Sequence, residues 1–369
     1  MRRVKGYRRR VLERPRHGCA ATGCAMSAVN VTLAYRRDVH SRQNYDFRLW
    51  APWTPEVLAT LGKSAGAAWA NPAHPASEGR RAAVWLEALE ATVAGFFGGG
   101  HVRFFPDREV ALAHVVAEYR GQRIATAATN RRSVLPLASI HCDVDERGQA
   151  EWVDADVVLL QYGNEETGVI DHYAGSAVRV LDASNALGRV PISAAWDYLI
   201  GSARAWGAPV DVAFVVSIRE LVPSAALSLP LVAVAVNVLE QHWGASESHA
   251  LRTERAINDF ESSLTATVPD VQFHGDHRVP HMRSFSVLHL DAETLTRELD
   301  AAGYVLGSGS ACVNDGTPSH VLSAMGVITH GNLRLALPID ADLESLPGFV
   351  DVLATTIARL RREAGVDDL

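Results

Sequence analysis

Residues Leu306–Gly326 read LGSGSACVNDGTPSHVLSAMG. One cysteine, Cys312, follows the small residues Gly307, Ser308, Gly309, Ser310 and Ala311, and Gly316 lies just beyond it. Glycine accepts positive φ without steric cost, so this composition predicts a mobile loop rather than a strand or helix. Thr317-Pro318-Ser319 then has the character of a helix start, and Val321, Leu322 and Met325 give the next turns an apolar face. A thiol on a flexible tip suits a cysteine that travels between a pocket and a partner. The competing reading is a cysteine packed as a small hydrophobe, and spacing alone leaves both open.

Taken with Gly331-Asn332-Leu333-Arg334-Leu335, the segments SGSAC and PSHVLSAMG resemble the C-terminal part of cysteine desulfurases. That family belongs to the class V aminotransferase group and folds as type I pyridoxal phosphate (PLP) enzymes. The resemblance implies that Cys312 is the loop cysteine that attacks substrate sulfur and carries it as a persulfide. It also implies that Arg334 binds the substrate carboxylate, for which a guanidinium fork is suited.

The resemblance extends over roughly residues 42 to 365. Tyr45-Asp46 and Pro55-Glu56-Val57 resemble the family's opening strand and first helix, and Asn71-Pro72 with Gly79-Arg80-Arg81 its next conserved-looking segment, with Ala76 in place of a histidine. Trp85–Phe97 reads as an amphipathic helix ended by Gly98-Gly99-Gly100. Apolar strands then alternate with helical patterns, which predicts a parallel α/β sheet. Val157–Leu160 is a strand leading to Asn164-Glu165-Glu166-Thr167-Gly168, and Val178–Leu181 is another, ending at Asp182-Ala183-Ser184-Asn185. Open α/β sheets place ligands at such strand ends. By resemblance Asp182 pairs with the PLP pyridinium nitrogen, Asn164 binds its phenolic oxygen or substrate, and Ser202 and Asn185 complete a vestigial cofactor site. From the residues alone, Asp182 could equally be a helix N-cap.

The fold expected is α/β and fold type I aminotransferase-like. It comprises a large lobe with a mainly parallel seven-stranded sheet and a smaller C-terminal α/β lobe. Residues 1–41 are expected to form a basic tail, disordered at least to residue 25, the alternative being translation upstream of a true start at Met26. Residues 42–245 would form the large domain, and 246–369 the small one with the Cys312 loop. In the small domain, Phe285–Leu290 reads as a strand, Thr294–Ala302 as a helix, and Ser345–Arg362 as a last helix.

The pattern breaks where PLP chemistry needs a lysine to form an imine. With Ser202 and Pro209 in register with the family, that position is Ala205, preceded by Arg204. A one-residue slip substitutes Arg204, whose guanidinium stays protonated and forms no imine. The chain has only two lysines, Lys5 in the tail and Lys63 after the first helix. The family's phosphate-cradling turn is here Phe104-Phe105-Pro106-Asp107-Arg108-Glu109. Proline lacks an N–H, Asp107 repels phosphate, and the phenylalanines are expected to block close approach. Arg131 stands where a histidine would stack on the cofactor ring, and Ala226 where a partner subunit's threonine would bind phosphate.

Composition narrows the remaining choices. The chain has 369 residues, 48% of them hydrophobic, and a formal charge of −7, so a sizeable core is expected and direct nucleic-acid binding is not. Four cysteines form no disulfide framework, and Cys19 and Cys24 lack a second pair for zinc, so no metal site is expected. The basic tail has no apolar stretch of a signal peptide, no membrane span is expected, and the localisation expected is cytoplasmic. The leading reading is a desulfurase-like protein without PLP chemistry of its own, with no covalent PLP and PLP possible only noncovalently. It would act as sulfur carrier or accessory subunit in iron–sulfur assembly or nucleic-acid thiolation. Its partner would be a desulfurase, scaffold or sulfurtransferase, and a homodimer is expected. The alternatives are an active desulfurase using noncovalent PLP or a partner subunit's lysine, and a non-catalytic dimeric scaffold.

Overall fold

The structure is a computed structural model that describes residues 42–48, 51–222, 227–308 and 318–366. Cys312, Cys19, Cys24 and Ala226 lie outside the described residues, as does the expected basic tail.

The centre of the molecule is a seven-stranded sheet. Its strands are β2 (His101–Phe105), β3 (Ile124–Ala127), β4 (Ile140–Cys142), β5 (Val157–Gln161), β6 (Val178–Asp182), β7 (Tyr198–Ser202) and β8 (Ala213–Ser217). Their spatial order is β2-β8-β7-β6-β5-β3-β4. The five strands from β7 to β4 run parallel, while β8 is antiparallel to both neighbours, so the sheet is mainly parallel as the sequence predicts. β5, β7 and β8 are buried at every residue. That explains why they read as unbroken apolar runs rather than alternating ones: both faces are covered.

Helices α1 (Pro55–Ala67), α2 (Ser77–Phe96) and α4 (Leu229–Trp243) pack together beside the sheet, and α3 (Arg108–Ala117) packs beneath β7 and β8. In α4, Leu229, Val232, Ala233, Val234, Ala235, Val236, Val238 and Leu239 are all buried. Apolar residues on more than one face mark a helix enclosed by protein, and each buried valine or leucine contributes about 1.5–3 kcal/mol. A charge at Val234 would break this packing. Helix α2 begins eight residues before the predicted Trp85 because its opening turns, Ser77-Glu78-Gly79-Arg80-Arg81, are polar and carry no apolar period. Gly79 is fixed by contact: a Cβ there would lie 2.0 Å from the His74 carbonyl oxygen.

The C-terminal part adds α5 (Ser246–Thr267), β9 (Val271–His274), β10 (Met282–Val287), α6 (Ala292–Ala301), β11 (Tyr304–Val305), α7 (His320–Ala324), β12 (Asn332–Ala336) and α8 (Leu346–Glu363). β10 lies between β12 and β9 in a three-stranded antiparallel sheet. Its own apolar core contains Phe260, Phe285 and Phe349, with Phe260–Phe285 ring centroids 5.7 Å apart. The predicted strand Phe285–Leu290 is shifted to Met282–Val287, because the chain turns at Leu288–Leu290. The opening strand β1 (Gln43–Asn44) pairs parallel with β11, and Asp46 bridges Ala336 of β12. This pairing delivers Asp46 to the functional region.

Candidate functional site

Parallel β5, β6 and β7 end at one edge, where Gln161 is in register with Asp182, and Asp182 with Ile200. Ser202 closes β7 itself, and the loops beyond β5 and β6 hold Asn164 and Asn185. All four sequence-predicted residues of this group are buried: Asp182 is 6% exposed, Asn164 2%, Asn185 4% and Ser202 7%.

Asp182 already has a cation. Arg131 Nη1 lies 2.6 Å from Asp182 Oδ2, and the two side chains are 3% and 6% exposed. The same guanidinium nitrogen donates to Ser184 Oγ at 3.3 Å, while Asp182 Oδ1 accepts the Ser184 amide at 2.9 Å. Burial alone would raise the Asp182 pKa, but the guanidinium groups of Arg131 and Arg108 outweigh it and hold the carboxylate below its usual range. The contact with Arg131 is one of charge rather than a directed hydrogen bond, for Asp182 Oδ2 has no hydrogen-bond partner.

Arg108, at the start of α3, reaches into the same region. It donates to Glu165 Oε2 at 3.1 Å and to Ser184 Oγ and Asn185 Oδ1 at 3.4 Å. Burial works against the ionised form of Glu165, yet Arg108, Arg131, Arg48 and Arg334 together hold its pKa down. Asn185 also donates to the Gly163 carbonyl at 2.8 Å.

Asn164 ties its own loop to the one after β3. Its Nδ2 donates to the Thr129 carbonyl and Gln161 Oε1, and its Oδ1 accepts from the Glu166 and Thr167 amides and the Thr167 hydroxyl. Both ends of the amide are thus used to shape the turn after β5.

Arg334, on β12, is 1% exposed. It donates to Asp46 Oδ2 at 3.0 Å and to the Glu165 carbonyl at 3.2 Å. Gly307 closes this pair from behind. It exchanges backbone hydrogen bonds with Arg334, and a Cβ on it would lie 2.1 Å from Arg334 Nη2 and 2.6 Å from Asp46 Oδ2. The sequence assigned this glycine to positive φ in a loop; its role is instead close approach within an antiparallel bridge.

Two further expectations change. Phe104 and Phe105 lie within β2 with their rings in the core, so they do not crowd the turn after the strand. The residue that does so is Asp107, whose carboxylate caps α3 by accepting the Val110 amide at 2.7 Å. Ala205 is wholly buried among core residues that include Trp206, and Arg204 pairs with Asp211 at 2.8 Å. Lys63, the only lysine among the described residues, is exposed on α1. Cys142 is buried on the edge strand β4.

The donor set does not fit a PLP cradle. A pyridinium nitrogen at Asp182 would have to displace Arg131. A phosphate before α3 would meet the Asp107 carboxylate. No described side chain near Ser202 offers an amine. Among the described residues no group of three or more histidine, cysteine, aspartate or glutamate side chains is placed to hold a metal ion. No helix there is long and apolar enough to cross a membrane.

The sequence did not reveal Arg108, Glu165 and Asp46 as members of this site. Arg131 was noted only as a lost histidine, not as the partner of Asp182. The available signal was the excess of arginine over lysine, but nothing in the spacing said which guanidinium would meet which carboxylate.

No protein-family model matches the chain. A cysteine desulfurase IscS from Dictyoglomus turgidum is 35% identical over 108 residues, covering 28% of this chain and 27% of that protein. A cysteine desulfurase from Cereibacter sphaeroides is 27% identical over 344 residues, covering 76% of this chain and 86% of its own. The match to the first of these relatives thus spans little more than a quarter of its length. Among solved structures, a NifS-like protein superposes with a TM-score of 0.74 at 20% identity, covering 86% of this chain and 100% of that one, which establishes the shared fold.

Proposed function

From a chain that is homologous to cysteine desulfurases by sequence and structure, we propose a protein without PLP chemistry of its own that carries sulfur on Cys312. The observation that supports this most is the Arg131–Asp182 pair, which puts the chain's own cation where the family resemblance would put the cofactor's. Buried Ala205 at the lysine position supports it from the other side of the site.

The chemistry required is a transfer rather than a synthesis. The Cys312 thiolate attacks the outer sulfur of a donor protein's persulfide, forming a new S–S bond. The donor's inner S–S bond breaks, and its cysteine leaves as thiolate. No oxidant or reductant is consumed, and the bound sulfur can pass on to an acceptor by the same step. The partners are then a genuine desulfurase or persulfide donor upstream and a scaffold or sulfurtransferase downstream, with a homodimer of this chain as the expected assembly.

The test is to incubate the purified protein with PLP, reduce with borohydride, and map any pyridoxyl peptide. None is expected, and a labelled lysine would overturn the proposal. In parallel, a working desulfurase charged with cysteine should add one sulfur to the wild-type protein by mass, on the Cys312 peptide, and none to Cys312→Ser. Equal sulfur acceptance by the serine variant would sink the carrier role.

A further inference from the structure

Between the ends of β5 and β6, α7 and β12 lies a cavity of about 250 Å³. Arg48, Arg108, Arg131, Arg132 and Arg334 line it, against Glu109, Glu165 and Glu166. Asp46 and Asp182 stand behind Arg334 and Arg131. Five guanidinium groups therefore meet five carboxyl groups, but the carboxyls are not alike. Burial pushes the Glu166 pKa up, against the hydrogen bond that Ser319 Oγ donates to its Oε2 at 2.7 Å and the nearby Arg334 and His320, which favour its ionised form.

The distribution of donors is more telling than the balance of charge. Arg108 and Arg334 each direct a hydrogen bond to a carboxylate. Arg131 differs: at 3% exposure, its Nε and Nη2 have no hydrogen-bond partner, although Nε lies 3.5 Å from the Glu109 carboxylate. Buried guanidinium N–H groups without acceptors are costly, and they are the groups a bound anion would satisfy. Arg132 and Ser133 line the same cavity next along the chain and are exposed at its mouth. Donors from several directions suit a tetrahedral oxyanion better than a planar carboxylate.

We propose that this cavity binds a tetrahedral oxyanion, a phosphate or sulfate group, between Arg131, Arg132 and Ser133. It rests on the reading that Arg131, not a cofactor, is the partner of Asp182. The anion then bridges the buried guanidinium to the exposed one and leaves the Asp182 pair in place. The free inorganic ion and the phosphate of a larger ester share this chemistry.

The test is calorimetric titration of the full chain with inorganic phosphate at constant ionic strength, balanced with chloride. Saturable binding of one phosphate per chain is expected, weakened about tenfold in Arg132→Gln by loss of one charge-assisted contact. Because Arg131→Gln alone leaves Asp182 buried and unpaired, the decisive variant is Arg131→Gln with Asp182→Asn, which should lose binding while retaining the native circular dichroism spectrum. Absence of saturation with millimolar phosphate, or unchanged binding in that folded double variant, would overturn the site. A phosphate ester lacking an aldehyde, titrated against bound phosphate, separates the two sources: competition extends the site to esters, while failure to compete restricts it to the free ion. Pyridoxyl labelling of a lysine would count against the proposed function independently of these titrations.

Discussion

Two buried carboxylates stand at the same edge of the large sheet and are handled in opposite ways. Asp182 ends β6 beside Gln161 of β5; Asp171 accepts the amide of that same Gln161 at 2.8 Å. Asp182 faces Arg131 at 2.6 Å and is held below the usual carboxylate range. Asp171 meets no cation among the described residues, and burial pushes it up to about 7, opposed by the hydrogen bond from Gln161. Depth in the protein does not separate them. Guanidinium groups do: Arg131 first, and Arg108 with it, favour a charge at the end of β6.

Removing that guanidinium gives the largest expected effect. Arg131→Ala should cost about 3–5 kcal/mol in urea unfolding at pH 7, the usual result of leaving one member of a buried pair uncompensated. Arg131→Met combined with Asp182→Leu should recover most of the loss. A single-variant cost below about 1 kcal/mol would erase the contrast between the two aspartates.

Asp171→Asn should act in the other direction. Its folded pKa is raised, so its contribution is fully present below the unfolded value near 3.8 and is lost as pH rises through about 7. The asparagine oxygen can still accept from Gln161. The variant should therefore be more stable than the parent by roughly 2–4 kcal/mol at pH 8 and about equal at pH 4. For Asp182 the sign reverses: its depressed pKa contributes stability above the unfolded value that is lost as pH falls through the folded one. A flat difference between Asp171→Asn and parent across pH 4–8 would mean that Asp171 is ionised after all.

A third carboxylate, Asp46, extends the comparison. Its pair with Arg334 depends on Gly307 having no side chain, so Gly307→Ala should cost about 1–3 kcal/mol through overpacking. An unchanged melting temperature would show that the pair can shift freely. No gain of activity is expected of Ala205→Lys, which should restore neither PLP binding nor desulfurase activity, because Arg131 and Asp107 remain and the site is closed by core packing. Appreciable activity in that variant would place Arg131 outside the cofactor's path.

The fold was legible because its signals are local and repeated. The apolar runs at Val157 and Val178 and the turn residues after them mark strands, and the resemblance supplied a mainly parallel sheet of seven. The positions of Asp182 and Asn164 followed from strand ends, and those of Asn185 and Ser202 from the resemblance. Their present partners did not. Asp46 and Arg334 are 288 residues apart in the chain, and no periodicity links such a pair. Asn164 carries a family resemblance, yet its amide is bound to its own turn and to the Thr129 carbonyl of the loop after β3. The phenylalanines of β2 were misjudged because alternation in a strand decides which way a ring points, and composition does not. Cys312, the residue that first suggested a function, lies outside the described residues and still rests on sequence.

The Arg131–Asp182 pair has a consequence for the life of the protein in a cell. Many cofactor-dependent folds gain stability from their ligand by mass action, so their abundance follows its supply. A chain that contributes its own counter-charge completes this part of its fold at synthesis. On the proposed function, vitamin starvation that empties PLP enzymes would leave the level of this protein unchanged.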